Sequence, residues 1–166
     1  MIVKTADIKP LLARARVEPN AVFPELKQLA ASTRWQTREV VATALVEIGK
    51  RHPVAVLRQA RRWAKAGDLN IRRAASEGLR SIVKVDPHGV RPVIDALRAD
   101  PEMYVKKSVA NVLRNASAKQ PEFVLRVCRQ WAASKSPHTR WIIKDGLKKL
   151  KGSRPKEVGA ILDSIG

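Results

Sequence analysis

Cysteine and long apolar runs are scarce in this chain of 166 residues. The single cysteine, Cys128, excludes an intrachain disulfide. No apolar stretch approaches the roughly 18 residues that a membrane-spanning helix requires. No apolar segment of the kind found in secretory signals follows Met1. These absences predict a soluble, cytoplasmic protein that has no membrane partner.

Acidic residues are also few, since 15 Asp and Glu residues stand against 33 Lys and Arg residues. The formal net charge is +18 and the pI is about 11.0. An excess of this size attracts polyanions, and nucleic acid is the first candidate. A solvated cationic surface without such a partner is the alternative. Because 45% of the residues are hydrophobic, we expect a folded chain and not a disordered basic tail.

The residue patterns of several kinds of catalytic site are missing. His52, His88 and His138 share no metal-ligand spacing, so we expect no metal. No glycine-rich phosphate loop is present, and we expect no cofactor. Cys128 falls at an apolar helix position, which argues against a nucleophilic thiol. No segment alternates with period two, so we expect no sheet.

What the chain does contain is an internal repeat of 34 residues. Proline, leucine and valine each recur five times at this spacing. The columns are Pro19, Pro53, Pro87, Pro121 and Pro155; Leu11, Leu45, Leu79, Leu113 and Leu147; and Val22, Val56, Val90, Val124 and Val158. A fixed period of this length is typical of solenoids, in which each repeat packs on its neighbours.

Each repeat contains two amphipathic helices. The first carries an apolar stripe at i, i+4 and i+7, as at Val41, Leu45 and Ile48. The second starts near the repeated proline, which suits a first turn, and its stripe ends in the column of Trp63 and Trp131. A column of mostly small residues on the first helices is expected to let neighbouring helices approach closely. It comprises Ala44, Gly78, Val112 and Gly146.

We therefore predict an all-α fold, an α-solenoid of about five two-helix HEAT-like repeats that form one domain over residues 1–166. The predicted units are residues 1–33, 34–67, 68–101, 102–135 and 136–166. The first unit is expected to be a cap, because Asp7 stands where later repeats have apolar residues. The HEAT assignment rests on helix openings such as Asp68, Ile71 and Arg72. The opening motif of a tetratricopeptide repeat is absent.

Three polar columns of the first helices are mainly basic. They are Arg38, Arg72, Lys106 and Arg140; Glu39, Arg73, Lys107 and Trp141; and Val46, Arg80, Arg114 and Lys148. Equivalent positions of a solenoid line up, so these columns predict a basic groove that matches the phosphates of a duplex. For the first column, pairing with acids of the preceding turn is an equal alternative. For the other two columns, we expect too few acids to pair every cation, which favours DNA binding.

Carboxylates stand between these columns, at Glu77 and Asp145. The preferred interpretation is that they neutralise Arg73 or Lys107 across the stack. The alternative is catalytic, because a carboxylate can stabilise the oxocarbenium-like state in which a glycosidic bond breaks. Trp141 lies one helical turn before Asp145.

The tryptophans divide into two groups. Trp63 and Trp131 are predicted to lie in the core, because both fall in an apolar column. Trp141 is expected to face the groove, where an indole can stack on a base or a deoxyribose. Trp35 precedes a first helix, and we expect it to pack between repeats.

Three segments resemble the HEAT-like-repeat DNA alkylation repair proteins, the AlkC/AlkD group. Residues 71–80 read I-R-R-A-A-S-E-G-L-R, residues 104–113 read Y-V-K-K-S-V-A-N-V-L, and residues 141–150 read W-I-I-K-D-G-L-K-K-L. The resemblance covers about residues 34–151. It implies a concave surface that cradles duplex DNA. In active members it also implies metal-independent excision of N3- or N7-alkylpurines.

The resemblance suggests roles for individual residues. Glu77 matches a pocket glutamate of the group, Lys106 and Lys107 match basic residues near the DNA backbone, and Trp141 matches the tryptophan that opens the last motif. Asp145, however, stands where the group has a histidine.

Further departures follow the second motif, where Asn115 replaces an acid and Ala118 replaces a lysine. Two functions therefore stay open. The first is a monomeric protein that binds double-stranded DNA, alkylated or branched, either as an alkylpurine DNA glycosylase or without that activity. It would be cytoplasmic and associated with the nucleoid when bound to DNA. The alternative is a non-catalytic scaffold for branched DNA, RNA or an acidic protein.

Overall fold

The structure is a computed structural model that describes residues 5–166, and within this range it contains ten α-helices and no β-strand. The helices are α1 (Lys9–Val17), α2 (Phe23–Ala30), α3 (Trp35–Arg51), α4 (Pro53–Trp63), α5 (Leu69–Glu77), α6 (Pro87–Leu97), α7 (Met103–Ala116), α8 (Pro121–Trp131), α9 (Pro137–Gly146) and α10 (Pro155–Ile165). The predicted all-α solenoid is confirmed. None of these helices combines the length and the apolar character needed to cross a membrane.

The helices form two layers. The first helices of successive repeats pack in series, with α3 against α5, α5 against α7 and α7 against α9. Among the second helices, α4 packs against α6 and α8 against α10. The polar columns of the first helices therefore follow one another along a single layer.

The repeated leucine and valine columns lie in one continuous core. Every member of both columns is at most 3% exposed. The predicted core positions of Trp63 and Trp131 are confirmed, because both side chains are buried. Asp7 is exposed, whereas its counterpart Val41 is fully buried. A capping role for the first unit stays a prediction.

The repeated proline starts four of the five second helices. In α4, α6, α8 and α10 it occupies a first-turn position, where its missing N–H leaves no intrahelical bond unmade. In the first unit, Pro19 instead begins a 3-10 turn, Pro19–Val22, and α2 starts only at Phe23.

Two glycines of the small column both end their helices and allow close packing. Helix α5 ends at Glu77, just before Gly78, and α9 ends at Gly146 itself. A Cβ atom at Gly78 would lie 3.1 Å from the Cβ atom of Leu45. At Gly146 it would lie 2.7 Å from Cδ1 of Leu113. The small column therefore does permit close approach. Glycine also weakens a helix by about 1 kcal/mol relative to alanine, and the two helices end at or just before these glycines.

Candidate nucleic-acid interface

Arg72, in the first basic column, fastens a loop in place. Its Nη1 donates to the carbonyl oxygens of Ala66 and Gly67, at 3.0 and 2.7 Å. Its Nε donates to Oδ2 of Asp100, 2.7 Å away in the loop that precedes α7. The hydrogen bond to Asp100 raises the pKa of this guanidinium above its ordinary value. Arg72 is therefore already engaged inside the protein.

Two other members of this column behave similarly. Arg38 donates to the carbonyl oxygens of Ser32 and Thr33, at 2.8 and 2.9 Å. The Nε of Arg140 donates to the carbonyl oxygen of Ser134 at 3.3 Å. Their partners are loop carbonyls, not the acids that the structural alternative assumed. The observed contacts of these arginines stabilise loops within the protein. DNA contact by this column stays a prediction.

The fourth member, Lys106, is buried beside two aromatic rings. Its side chain is 7% exposed, and its Nζ lies 3.3 Å from Nδ1 of His138. The same ammonium lies 5.7 Å from the ring centre of Trp141. Trp141 is half-buried and packs against the core. Only part of this indole is therefore accessible, and its stacking on a nucleotide stays a prediction.

In the other two basic columns, cations form ion pairs with acids of neighbouring repeats. Arg73 of α5 pairs with Glu39 of α3, and Arg114 of α7 pairs with Asp145 of α9. Lys148 contacts the same Asp145 carboxylate at 2.5 Å. Arg73, Arg114 and Lys148 are therefore paired, and Asp145 serves two of them. Lys107 forms no ion pair within residues 5–166, so the acids do not pair every cation of these columns.

Glu77 and Asp145 occupy equivalent positions at the ends of α5 and α9, and both are neutralised by cations. Oε2 of Glu77 lies 3.2 Å from Nε of Arg80, and the partners of Asp145 are Arg114 and Lys148. The preferred interpretation of the sequence named Arg73 or Lys107 as partners. That choice is wrong, because each carboxylate contacts the cation three positions further on, which one helical turn brings to the same side, and Asp145 also contacts Arg114.

The electrostatics of Asp145 follow from these contacts. Burial alone would raise the pKa of its carboxyl group, but the hydrogen bond from Lys148 and the charge of Arg114 outweigh burial. The net result is a pKa below the ordinary value. Asp145 is therefore a fixed anion at neutral pH, able to stabilise a positive charge but not to donate a proton.

Exposed aromatic and apolar side chains cluster at the starts of first helices. Lys107 is exposed, and its Nζ lies 5.8 Å from the ring centre of Tyr104, which is 60% exposed. Trp35 is 62% exposed, so the expectation that it packs between repeats is wrong. Its position in the first turn of α3 points it away from the core stripe. Tyr104 was not singled out from the sequence.

A cleft of about 320 Å³ is lined by three successive repeats, through α3, the segment that follows α5, and α7. Its lining residues are Thr43, Val46, Lys50, Arg80, Ser81, Lys84 and Asn115. The cations Lys50 and Lys84 were missed from the sequence. The signal was present, because the two are 34 residues apart and form a further aligned column.

The fold and this surface define a class of protein, a helical-repeat protein whose first helices carry aligned cations around a shallow cleft. A family model described as DNA alkylation repair enzyme matches residues 33–150. The chain belongs to this DNA alkylation repair family, as its sequence motifs predicted.

One curated relative is similar over most of the chain. The Bacillus subtilis (strain 168) protein YhaZ is 31% identical over 145 residues, which are 82% of this chain and 40% of YhaZ. The chain thus spans about two fifths of the length of this relative.

Two solved structures share the fold. One is the alkylpurine DNA glycosylase AlkC of Pseudomonas fluorescens, bound to DNA that contains an abasic site analog. It is 26% identical with a TM-score of 0.61, over 82% of this chain and 44% of that chain. The other is AlkD2 from Streptococcus mutans, 28% identical with a TM-score of 0.69, over 83% of this chain and 69% of that chain.

Proposed function

We propose that this chain binds duplex DNA along the layer of its first helices, as a protein of the alkylation repair type. The observation that carries the proposal is the cleft of Lys50, Arg80 and Lys84, which spans three repeats. Among the described residues that line it, none is acidic. A duplex backbone follows such a row because its phosphates are regularly spaced. The DNA-bound structure of the relative AlkC supports this partner.

The exposed cations around the cleft extend the proposed contact. Lys107 and Lys148 are both exposed on first-helix columns, and Lys148 keeps 63% of its side chain exposed although it pairs with Asp145. Each surface cation that neutralises a phosphate releases counterions condensed on the DNA. The proposed binding is thus mainly electrostatic, in a basic concave groove, by a monomer in the cytoplasm.

Base excision is a second candidate, favoured by the position of Glu77. Glu77 is 7% exposed, and its Oε2 lies 3.2 Å from Nε of Arg80, a cation of the cleft. An N3- or N7-alkylpurine carries a positive charge, and it leaves as a neutral base when the C1′–N bond breaks and the bond electrons move to the base. A nearby carboxylate stabilises the positive charge that develops at C1′, and water then adds there and loses a proton to the solvent.

DNA binding is tested by gel shift with plain, branched and methylated duplexes across a salt series. Lys84→Ala should weaken binding and lower the slope of log affinity against log salt by about one. The matched control is Lys156→Ala, an exposed cation of α10 in the layer of second helices, which should change neither. Equal losses in both variants would contradict a localised interface. Tighter binding of structured RNA or of an acidic peptide would show that the groove serves the scaffold function instead.

Excision is tested separately by release of 3-methyladenine and 7-methylguanine from methylated DNA. The wild type should release base, and Glu77→Gln should release markedly less while binding DNA equally well. Absence of release by the wild type ends the catalytic proposal and leaves the binding proposal intact.

A further inference from the structure

Two tryptophans at equivalent positions differ in their hydrogen bonding. Trp63 and Trp131 end α4 and α8, and both are almost fully buried. The Nε1 of Trp131 donates to Oδ1 of Asp95 on the preceding second helix, at 2.7 Å. The Nε1 of Trp63 is buried but donates to no acceptor among the described residues. Since buried donors are nearly always paired, this one calls for an acceptor.

The repeat explains why the acceptor is missing. Asp95 precedes Trp131 by 36 residues, and the residue that precedes Trp63 by 36 is Lys27. A carboxylate at one interface between second helices is thus replaced by an ammonium group at the other. The indole N–H of Trp63 and the ammonium of Lys27 are both donors, so neither can satisfy the other.

The surroundings of Trp63 are rich in further donors. A cleft of about 440 Å³ between α2 and α4 is lined by Trp63 together with Asn20, Phe23, Pro24, Lys27, Arg58, Gln59 and Arg62. Three of these residues are cations, and no described lining residue is acidic. Within residues 5–166 none of the three forms an ion pair. Oδ1 of Asn20 accepts a hydrogen bond from Nη2 of Arg58 at 3.1 Å, which positions that guanidinium.

We propose that this cleft is a binding site for the phosphate group of a small molecule, with the indole N–H of Trp63 as its buried donor. A phosphate oxygen takes the place that the Asp95 carboxylate holds beside Trp131. The remaining oxygens face Lys27, Arg58 and Arg62, and guanidinium groups bind phosphate in a bidentate manner. Three unpaired cations match a dianion better than a single carboxylate. The site lies on the layer of second helices, and it does not depend on the proposed DNA interface.

The indole N–H resonance of Trp63 in a ¹H–¹⁵N spectrum provides the test. The peak is assigned by its loss in Trp63→Phe. Titration with millimolar inorganic phosphate should move it downfield, and the Trp131 peak should stay in place. Trp63→Phe should weaken phosphate affinity about tenfold, the loss typical of one hydrogen bond to a charged group. Trp131→Phe is the matched control and should leave phosphate affinity unchanged.

A second variant supplies the missing acceptor from within the chain. Lys27→Asp should recreate the pairing of Trp131 with Asp95, abolish phosphate binding, and move the indole resonance downfield without ligand. A nucleoside 5′-monophosphate that binds more tightly than inorganic phosphate would identify the source as an organic phosphate. Equal affinities would identify free phosphate.

Two results would overturn the proposal. A Trp63 resonance that does not respond to either phosphate would show that the indole donates elsewhere. The ring of Phe23, packed edge to face at 6.3 Å between ring centres, is a candidate for such an acceptor. An equal response to acetate would show that the site does not select phosphate. DNA binding should be unchanged in Trp63→Phe, so failure here leaves the proposed function untouched.

Discussion

Arg114 of α7 and Asp145 of α9 form an ion pair that ties two neighbouring repeats together. Asp145 also accepts from Lys148, which follows the end of its own helix. The carboxylate that the sequence offered as a candidate catalytic group is thus also a structural link. Removing it should affect stability in a pH-dependent way.

The pKa of Asp145 is lower in the folded protein than its ordinary value of 3.8. Because the pKa is lowered in the folded state, the ionised carboxylate stabilises the fold at every pH above its ordinary pKa. This contribution is lost as the pH falls through the lowered pKa. Asp145→Asn should therefore lower the free energy of unfolding by about 1–2 kcal/mol at neutral pH. The deficit should shrink in acid. Urea denaturation at several pH values measures it, and a pH-independent deficit would contradict the assignment.

Arg72 should prove a structural cation that lysine cannot replace. Its guanidinium serves two loop carbonyls and Asp100 at the same time, and an ammonium group lacks that fork geometry. Arg72→Lys should lower the free energy of unfolding by about 1–3 kcal/mol. Lys107→Ala is the control, because Lys107 is exposed, and its effect should stay within about 0.5 kcal/mol. Equal stability of the two variants would show that the loop contacts are dispensable.

Gly146 should be intolerant of a methyl group. A Cβ atom there would lie 2.7 Å from Cδ1 and 3.1 Å from Cβ of Leu113, which is fully buried. Overpacking of this kind should cost Gly146→Ala about 1–3 kcal/mol of stability, more than the helix propensity of alanine returns. Gly159 in α10 has no atom within 4 Å of such a Cβ, so Gly159→Ala should be neutral or stabilising. Thermal melting of the two variants measures these changes in stability. If both substitutions stabilised the protein, α7 and α9 would be packed less closely than the structure shows.

Cys128 should be unreactive in the native protein. Burial raises the pKa of its thiol to about 12, so the thiolate is scarce at neutral pH, and the side chain is fully buried. A thiol reagent should therefore label Cys128 only as the protein unfolds, and labelling across a urea series should coincide with the loss of helical circular dichroism. Fast labelling without urea would show local opening around α8.

The fold could be predicted from the sequence because each repeat encodes it locally. The buried columns of Leu45 and Val56 recur with a helical stripe, and burial of that stripe is the same physical requirement in every copy. Helix ends were less predictable. Gly78 and Gly146 looked like packing positions only, whereas they also end α5 and α9.

The candidate site was predictable in part. The sequence located the basic columns and the two carboxylates, but it did not identify which cation each carboxylate contacts. Glu77 contacts Arg80, which lies one turn further on, whereas Arg73 pairs with Glu39 of the preceding repeat. Exposure was also misjudged at Trp35, whose column partner Leu69 is packed against the core.

The sequence by itself determined the solenoid, its 34-residue period and the family. The periodic apolar pattern and the local motifs can both be read directly from the order of the residues. Only the tertiary structure decided which charges and donors are satisfied. The contacts of Arg72 with Asp100, Arg114 with Asp145 and Trp131 with Asp95 span 28, 31 and 36 residues. These separations differ because side-chain length and helix ends set each contact. Only the packed helices bring such partners within the 3 Å over which a hydrogen bond acts.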